Sequence, residues 1–173
     1  MRLVIIGAGG HGQTVADIAV QTGEFEEIVF LDDRFETEKC PEWIKGSCSD
    51  FVKYIDGNTC MYPAFGYNEL RMEWEKKLRY EGVALALIVH PTAYISPYAS
   101  VSKGCVVMPY AIINTGSIVK RGCIVNCHAI IDHGCVIEEG CHIAPGAIVK
   151  AENHLPALTK VDSGEIIAVR QFA

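Results

Sequence analysis

The sequence predicts two folds in series: an α/β domain built on a βαβ unit, then an all-β parallel helix. Three observations carry this reading. A strand, a glycine-rich turn, a helix and a second strand ending in paired acids occupy the N-terminus. A side-chain pattern of period six runs through residues 95–149. Half of the 173 residues are hydrophobic, enough apolar material for two cores.

The first unit opens with a β-branched run, Arg2–Ile6, which reads as a strand. It runs into Gly7-Ala8-Gly9-Gly10-His11-Gly12, which contains G-x-G-x-x-G. An amphipathic helix follows, with Val15, Ile18, Ala19 and Val20 expected on its buried side. A second strand, Glu27–Leu31, ends in Asp32-Asp33. Asp32 stands twenty positions after Gly12, near the offset at which a carboxylate meets a ribose hydroxyl. Glycines permit a tight turn and close approach of backbone to phosphate, and a helix N-terminus attracts negative charge. The unit is therefore Rossmann-like. A dinucleotide fold needs two such halves, and about 86 residues precede the repeats, so a mononucleotide fits better. Residues 34–58 predict loops with a short helix near Ser49–Ile55. Cys60–Phe65 predicts a third strand ending at Gly66-Tyr67-Asn68. Glu69–Tyr80 predicts a charged helix, and Val83–Val89 a fourth strand.

The period-six region is the strongest signal. Ile95, Val101, Val107, Ile113, Val119, Val125, Ile131, Ile137, Ile143 and Val149 are all β-branched. Four residues after each of the first nine stands a small residue: Ala99, Cys105, Ala111, Ser117, Cys123, Ala129, Cys135, Cys141, Ala147. A helix repeats at 3.6 and an alternating strand at 2, so neither gives this register. Hexapeptide repeats of a parallel β-helix do. Side chains alternate across a strand, so the residue before each aliphatic faces outward. That column is mostly apolar: Val106, Ile112, Ile118, Ile124, Ile130, Val136 and Ile148, interrupted by His142. Outward isoleucines at this density predict an interface, and a three-faced prism packs around a three-fold axis. His133 and His128 fall at corners. The predicted limits are 1–88 for the first domain and 89–150 for the β-helix. Residues 151–173 form a degenerate coil or a tail, because Asn153, Thr159 and Glu165 break the small-residue column.

Composition narrows the function. A net charge of −6 argues against nucleic acid as the main partner. No apolar run approaches the roughly 20 residues that span a bilayer, so no membrane insertion is expected. Four of the eight cysteines sit in the small-residue column and there is no CxxC pair. With no secretion signal, this predicts reduced thiols and a cytoplasmic location.

The glycine-rich turn, the Leu31-Asp32-Asp33 ending, Gly66-Tyr67-Asn68-Glu69-Leu70-Arg71, His90-Pro91-Thr92-Ala93, Asn126, Ile131-Asp132-His133 and His142-Ile143-Ala144-Pro145-Gly146-Ala147 resemble one family. It is that of the bacterial sugar acetyltransferases of the N-acetyl-bacillosamine and sialic-acid pathways, and the likeness runs to about residue 150. It implies a left-handed β-helix, a homotrimer with sites between subunits, acetyl-CoA as co-substrate and no metal. It implies that Gly9, Gly10 and His11 meet a nucleotide diphosphate, Asp32 and Asp33 the uridine, and Gly66 the UDP-amino-sugar. It implies that His133 is the general base and that Asn126 helps to position the site, with Asp132 a third candidate catalytic residue. His142 and Gly146 would contact acetyl-CoA. The reaction expected is N-acetylation of a UDP-4-amino-6-deoxy-sugar. Alternatives are O-acetylation of a sialic-acid type sugar, or a nucleotide-sugar-binding homologue with weakened catalysis. Two departures stand out. Relatives follow the base with a carboxylate, where Gly134 stands here, a role open to Asp132, Glu138 or Glu139. Relatives also continue the repeats further.

Overall fold

The structure is a computed structural model that describes residues 1–37 and 40–172. Glu38 and Lys39, inside the 34–58 loop, and Ala173 lie outside the described residues. The chain forms two units, Met1–Ala86 and Leu87–Ala173.

In the first unit, β1 (Arg2–Ile6), β2 (Glu27–Leu31), β3 (Thr59–Pro63) and β4 (Ala84–Leu85) make one parallel sheet in the order β2-β1-β3-β4. The order reverses at β1, which has β2 on one side and β3 on the other. Crevices for ligands open at such a switch point, beyond the carboxyl ends of the strands. Helix α1 (Gly10–Thr22) buries Val15, Ala16, Ile18 and Ala19. Val20, expected on the same face, is 67% exposed. It follows Ala19 by 100° around the axis, which carries it off the buried stripe. Helix α2 (Asn68–Tyr80) buries Leu78 and, unusually, Arg71 and Glu75. Between β2 and β3 runs a 3₁₀ segment, Cys48–Tyr54, whose start is tied by the Asp50 carboxylate accepting the Ser47 N–H at 2.9 Å.

The expected single strand over Val83–Val89 is two strands. Ala84–Leu85 pairs with Cys60 and Met61, whereas Ile88–Val89 pairs with Val106 and Val107. Its apolar run serves the edge of one sheet and then the first coil of the other fold, and periodicity alone does not divide it.

In the second unit, two-residue strands from Ile88–Val89 to Ile166–Ile167 stack into three parallel sheets among the described residues. Ile112 lies against Ile130, and Ile130 against Ile148, so a coil is eighteen residues (130 − 112). The aliphatic and small columns from Cys105 to Val149 are fully buried and form the core. Each such Val or Ile contributes roughly 1.5–3 kcal/mol by leaving water. The corners recur every six residues with a positive φ, which glycine adopts without strain. They form three columns. One reads Gly104, Gly122, Gly140, Leu158; the next Tyr110, His128, Gly146, Gly164; the third Gly116, Gly134, Glu152, Arg170.

The coil pattern continues beyond residue 150. His154–Leu155 pairs with Val136–Ile137, and Ile166–Ile167 with Ile148–Val149. Asn153 replaces a small residue, yet it is only 1% exposed. Its amide donates to the carbonyls of Lys150 (2.7 Å) and Ala168 (2.8 Å) and accepts the Phe172 N–H (2.9 Å). At Asn153 the break in the column is thus an internal polar staple.

The outward apolar column is not uniform. Val106 and Ile124, in one sheet with Ile88, have no exposure in the single chain. In another sheet, Tyr94 and Ile166 are each 54% exposed, with Ile112, Ile130 and Ile148 half-buried between them.

Candidate functional site

A cleft of about 390 Å³ lies in the first unit, where the turns after β1, β2 and β3 converge. Gly9, Gly10, His11, Asp32 and Gly66 all line it, together with Arg34 and Tyr67. Two glycines make the turn possible. Gly7 has φ +98, and a Cβ on Gly12 would stand 2.0 Å from the Gly7 carbonyl oxygen. Gly9 and Gly10 do a different job. A Cβ on either would meet nothing within 4 Å, so both present bare backbone. No side chain caps α1, and its first turn holds no acid. This combination suits an anion.

Asp32 faces the same turn. Its carboxylate accepts the Ala8 N–H at 2.8 Å and the Arg34 Nε–H at 2.8 Å. Burial pushes the carboxyl up, but hydrogen bonds from the Arg34 guanidinium and from backbone N–H groups outweigh it and hold it at about 2. Asp32 is thus an ionised brace of the glycine turn. Arg34 also donates to the Ala8 carbonyl at 2.8 Å. Sequence reading passed over Arg34 because it lies in a stretch without pattern; its place two residues after a strand-ending acid was the available signal. Asp33 does not line the cleft. Its carboxylate accepts the Cys48 N–H at 2.9 Å, anchoring the 3₁₀ segment to the end of β2. The Gly66 turn is shaped from below by buried Arg71, which donates to the Phe65 carbonyl at 2.9 Å and to Asn68 Oδ1 at 2.8 Å.

The second unit brings Asn126 and His142 together. Ile124 lies against His142 in adjacent coils, and Asn126 Nδ2 meets His142 Nε2 at 3.2 Å. Asn126 Oδ1 already accepts the Cys127 N–H at 2.8 Å, so its NH₂ is the donor to the ring. His142 Nε2 is then the acceptor, and a neutral ring carries its proton on Nδ1. Gly146 follows at a corner with φ +68 and open space where a Cβ would be.

His133 is exposed at its corner. Asp132 meets it through the backbone: Oδ1 accepts the His133 N–H at 2.7 Å and a 3.3 Å bond from Asn114 Nδ2. Glu138 sits between Lys120 and His154, at 2.7 Å from each, and Glu139 pairs with Arg121 at 2.6 Å. Hydrogen bonds from Lys120 and then His154 hold the Glu138 carboxyl below its ordinary range. His128, at another corner, stacks on Tyr110 with centroids 5.1 Å apart.

Comparison with known proteins agrees with this architecture. The PglD N-terminal domain family matches residues 2–78. The acetyltransferase domain of PglB from Neisseria gonorrhoeae FA1090, solved with acetyl coenzyme A, is 33% identical. It superposes with a TM-score of 0.87, over 95% of this chain and 80% of that one. The chain belongs to the nucleotide-sugar acetyltransferase family. Its second unit is accordingly the left-handed parallel β-helix of that family. PerB from Caulobacter crescentus, solved with CoA and GDP-perosamine, shares the fold at 23% identity, with a TM-score of 0.73 over 98% of this chain and 89% of that one. A curated UDP-N-acetylbacillosamine N-acetyltransferase of Bacillus subtilis (strain 168) is 27% identical over 106 residues, 60% of this chain. The match spans about half, 49%, of that relative's length. Among the described residues no helix is long and apolar enough to cross a membrane, and no His, Cys, Asp and Glu side chains group to hold a metal ion.

Proposed function

We propose that the protein transfers the acetyl group of acetyl-CoA to the amino group of a UDP-4-amino-6-deoxy-sugar. The observation that carries this reading is the bare-glycine cleft at an uncapped helix N-terminus, in one chain with the Asn126–His142 pair of a family β-helix. The diphosphate binds at Gly9, Gly10 and His11, the sugar lies by Gly66, and Asp32 braces the turn. Arg34 faces the same cleft and serves the nucleotide.

The amine nitrogen attacks the thioester carbonyl carbon. His133 accepts the proton the nitrogen must lose. The carbonyl oxygen takes up negative charge, and a donor such as the His142 ring or a backbone N–H stabilises it. Collapse breaks the carbon–sulfur bond, the sulfur takes up the proton that His133 accepted, and CoA leaves as the thiol. Asn126 fixes the orientation of His142. Asp132 fixes the backbone from which His133 projects.

We further infer a homotrimer. The open apolar stripe of Tyr94, Ile112, Ile130, Ile148 and Ile166 supports it, since such a stripe marks an interface. A cytoplasmic location fits eight free thiols and an acetyl-CoA substrate.

Thiol release with a panel of UDP- and GDP-amino-sugars tests the reaction. His133→Ala is expected to lower kcat by about 10²–10⁴-fold, the contribution of a positioned base, with both ligands still bound. Full turnover in that variant removes the base assignment. Binding of UDP-sugar without binding of CoA replaces the enzyme by a sugar-binding homologue.

A further inference from the structure

A histidine that takes a proton works best when a carboxylate steadies its ring and balances the charge it acquires. Around His133 each acid near in sequence has a partner of its own. Asp132 is bound to the His133 backbone N–H, Glu138 to Lys120 and His154, and Glu139 to Arg121.

The coil supplies another carboxylate. Ile130 pairs with Ile148 and Val136 with His154, an offset of eighteen on both sides of the corner, so Glu152 stacks directly against Gly134 (152 − 134 = 18). The Glu152 N–H donates to the His133 carbonyl at 3.1 Å. A Cβ on Gly134 would lie 3.5 Å from Glu152 Cγ. A side chain after His133 would therefore lie in van der Waals contact with Glu152 of the next coil. Glu152 has φ +59, at a corner where glycine is unstrained. The chain keeps an acid there against the backbone preference. Arg170, one coil further at φ +55, pairs with the Glu152 carboxylate.

We propose that Glu152 is the positioning residue for His133, acting across coils where Gly134 offers no side chain. It rests on the reading of His133 as the base. As the amine proton passes to His133, the ring becomes imidazolium, and the Glu152 carboxylate stabilises that charge. Arg170 holds the carboxylate in line from below.

The test is steady-state kinetics of the full chain with acetyl-CoA and the UDP-amino-sugar. Glu152→Gln keeps the shape and removes the charge. It is expected to lower kcat roughly 10- to 100-fold, the usual cost of losing a group that orients a functional histidine. Both KM values should stay within about twofold, and the melting temperature should hold. Gly134→Glu added to Glu152→Gln returns a carboxylate to the same space and is expected to recover part of kcat. An unchanged kcat in Glu152→Gln overturns the proposal, and so does a loss confined to KM. His133→Ala separates the two readings. If that variant is inactive while Glu152→Gln is fully active, only the role of Glu152 falls. If His133→Ala itself turns over normally, the base assignment falls, and the positioning role with it.

Discussion

In the first unit the cleft is backbone from which side chains are missing: Gly9 and Gly10 lie bare at the start of α1, and Gly7 and Gly12 let the turn close on itself. In the β-helix the corners carry the opposite exceptions. Tyr110, His128, Glu152, Leu158 and Arg170 hold side chains in a conformation that glycine adopts more easily. The cleft is shaped by subtraction and the corners by addition. The same substitution, glycine to alanine, should therefore read very differently in the two.

That contrast gives the largest expected effect. Gly12→Ala puts a Cβ 2.0 Å from the Gly7 oxygen, so β1 and α1 must part. We expect a loss of about 3 kcal/mol in denaturant unfolding of the first unit, with UDP binding abolished in calorimetry. Gly134→Ala, whose Cβ would meet only Glu152 Cγ at 3.5 Å, should lose about 1 kcal/mol from its positive φ. Equal losses at the two sites would break the comparison.

The next effect is at Asn153. Asn153→Ala leaves the Lys150 and Ala168 carbonyls and the Phe172 N–H without their partner. Unsatisfied groups of this kind cost about 1–3 kcal/mol each when they stay dry, so a loss of about 2 kcal/mol or more is expected in thermal unfolding. A variant as stable as the parent would show that the column is indifferent to what fills it.

Asp32 comes third. Its carboxyl sits near 2 in the folded chain against an ordinary 3.8, so the unfolded chain binds the proton more tightly. The contribution is complete above pH 4 and disappears as pH falls towards 2, on the order of 2 kcal/mol. Asp32→Asn should lose it at neutral pH and flatten the acid limb of the stability curve. An acid limb that matches the parent's would remove the brace.

The smallest effect belongs to the surface ladder. Lys120→Met breaks an ion pair whose lysine is 42% exposed, and less than about 0.5 kcal/mol is expected. A larger loss would mean that charge, rather than the buried columns, sets the stability of the β-helix.

The two units were also unequally legible from sequence. The β-helix could be read almost residue by residue, because a period of six repeated over 95–149 leaves few alternative registers. The glycine turn was legible because at Gly7 and Gly12 only glycine meets the demands of the backbone. The split of Val83–Val89 was hidden, since apolar residues suit both of the strands it forms. The bond from Cys48 to Asp33 and the brace of Arg34 on Asp32 were hidden as well, because each depends on a partner from a separate turn or on a side-chain conformation. Asn153 looked like decay of the repeat, since the pattern records size and not the hydrogen bonds a polar side chain can make inside. Glu152 was passed over because the pattern lists residues along the chain, and its neighbour is one full coil away.

The stacking of coils changes what distance along the chain means. Adjacent strands lie about 4.8 Å apart, so residues separated by eighteen positions are as near as close neighbours in sequence. The corner columns form a ruled grid, with the coil as row and the corner as column. Moving a side chain from one row to the next shifts it by a single strand spacing and leaves its outward direction unchanged. The β-helix is therefore a scaffold on which the position of a functional group can be adjusted in fixed steps, one coil at a time, with the core left untouched.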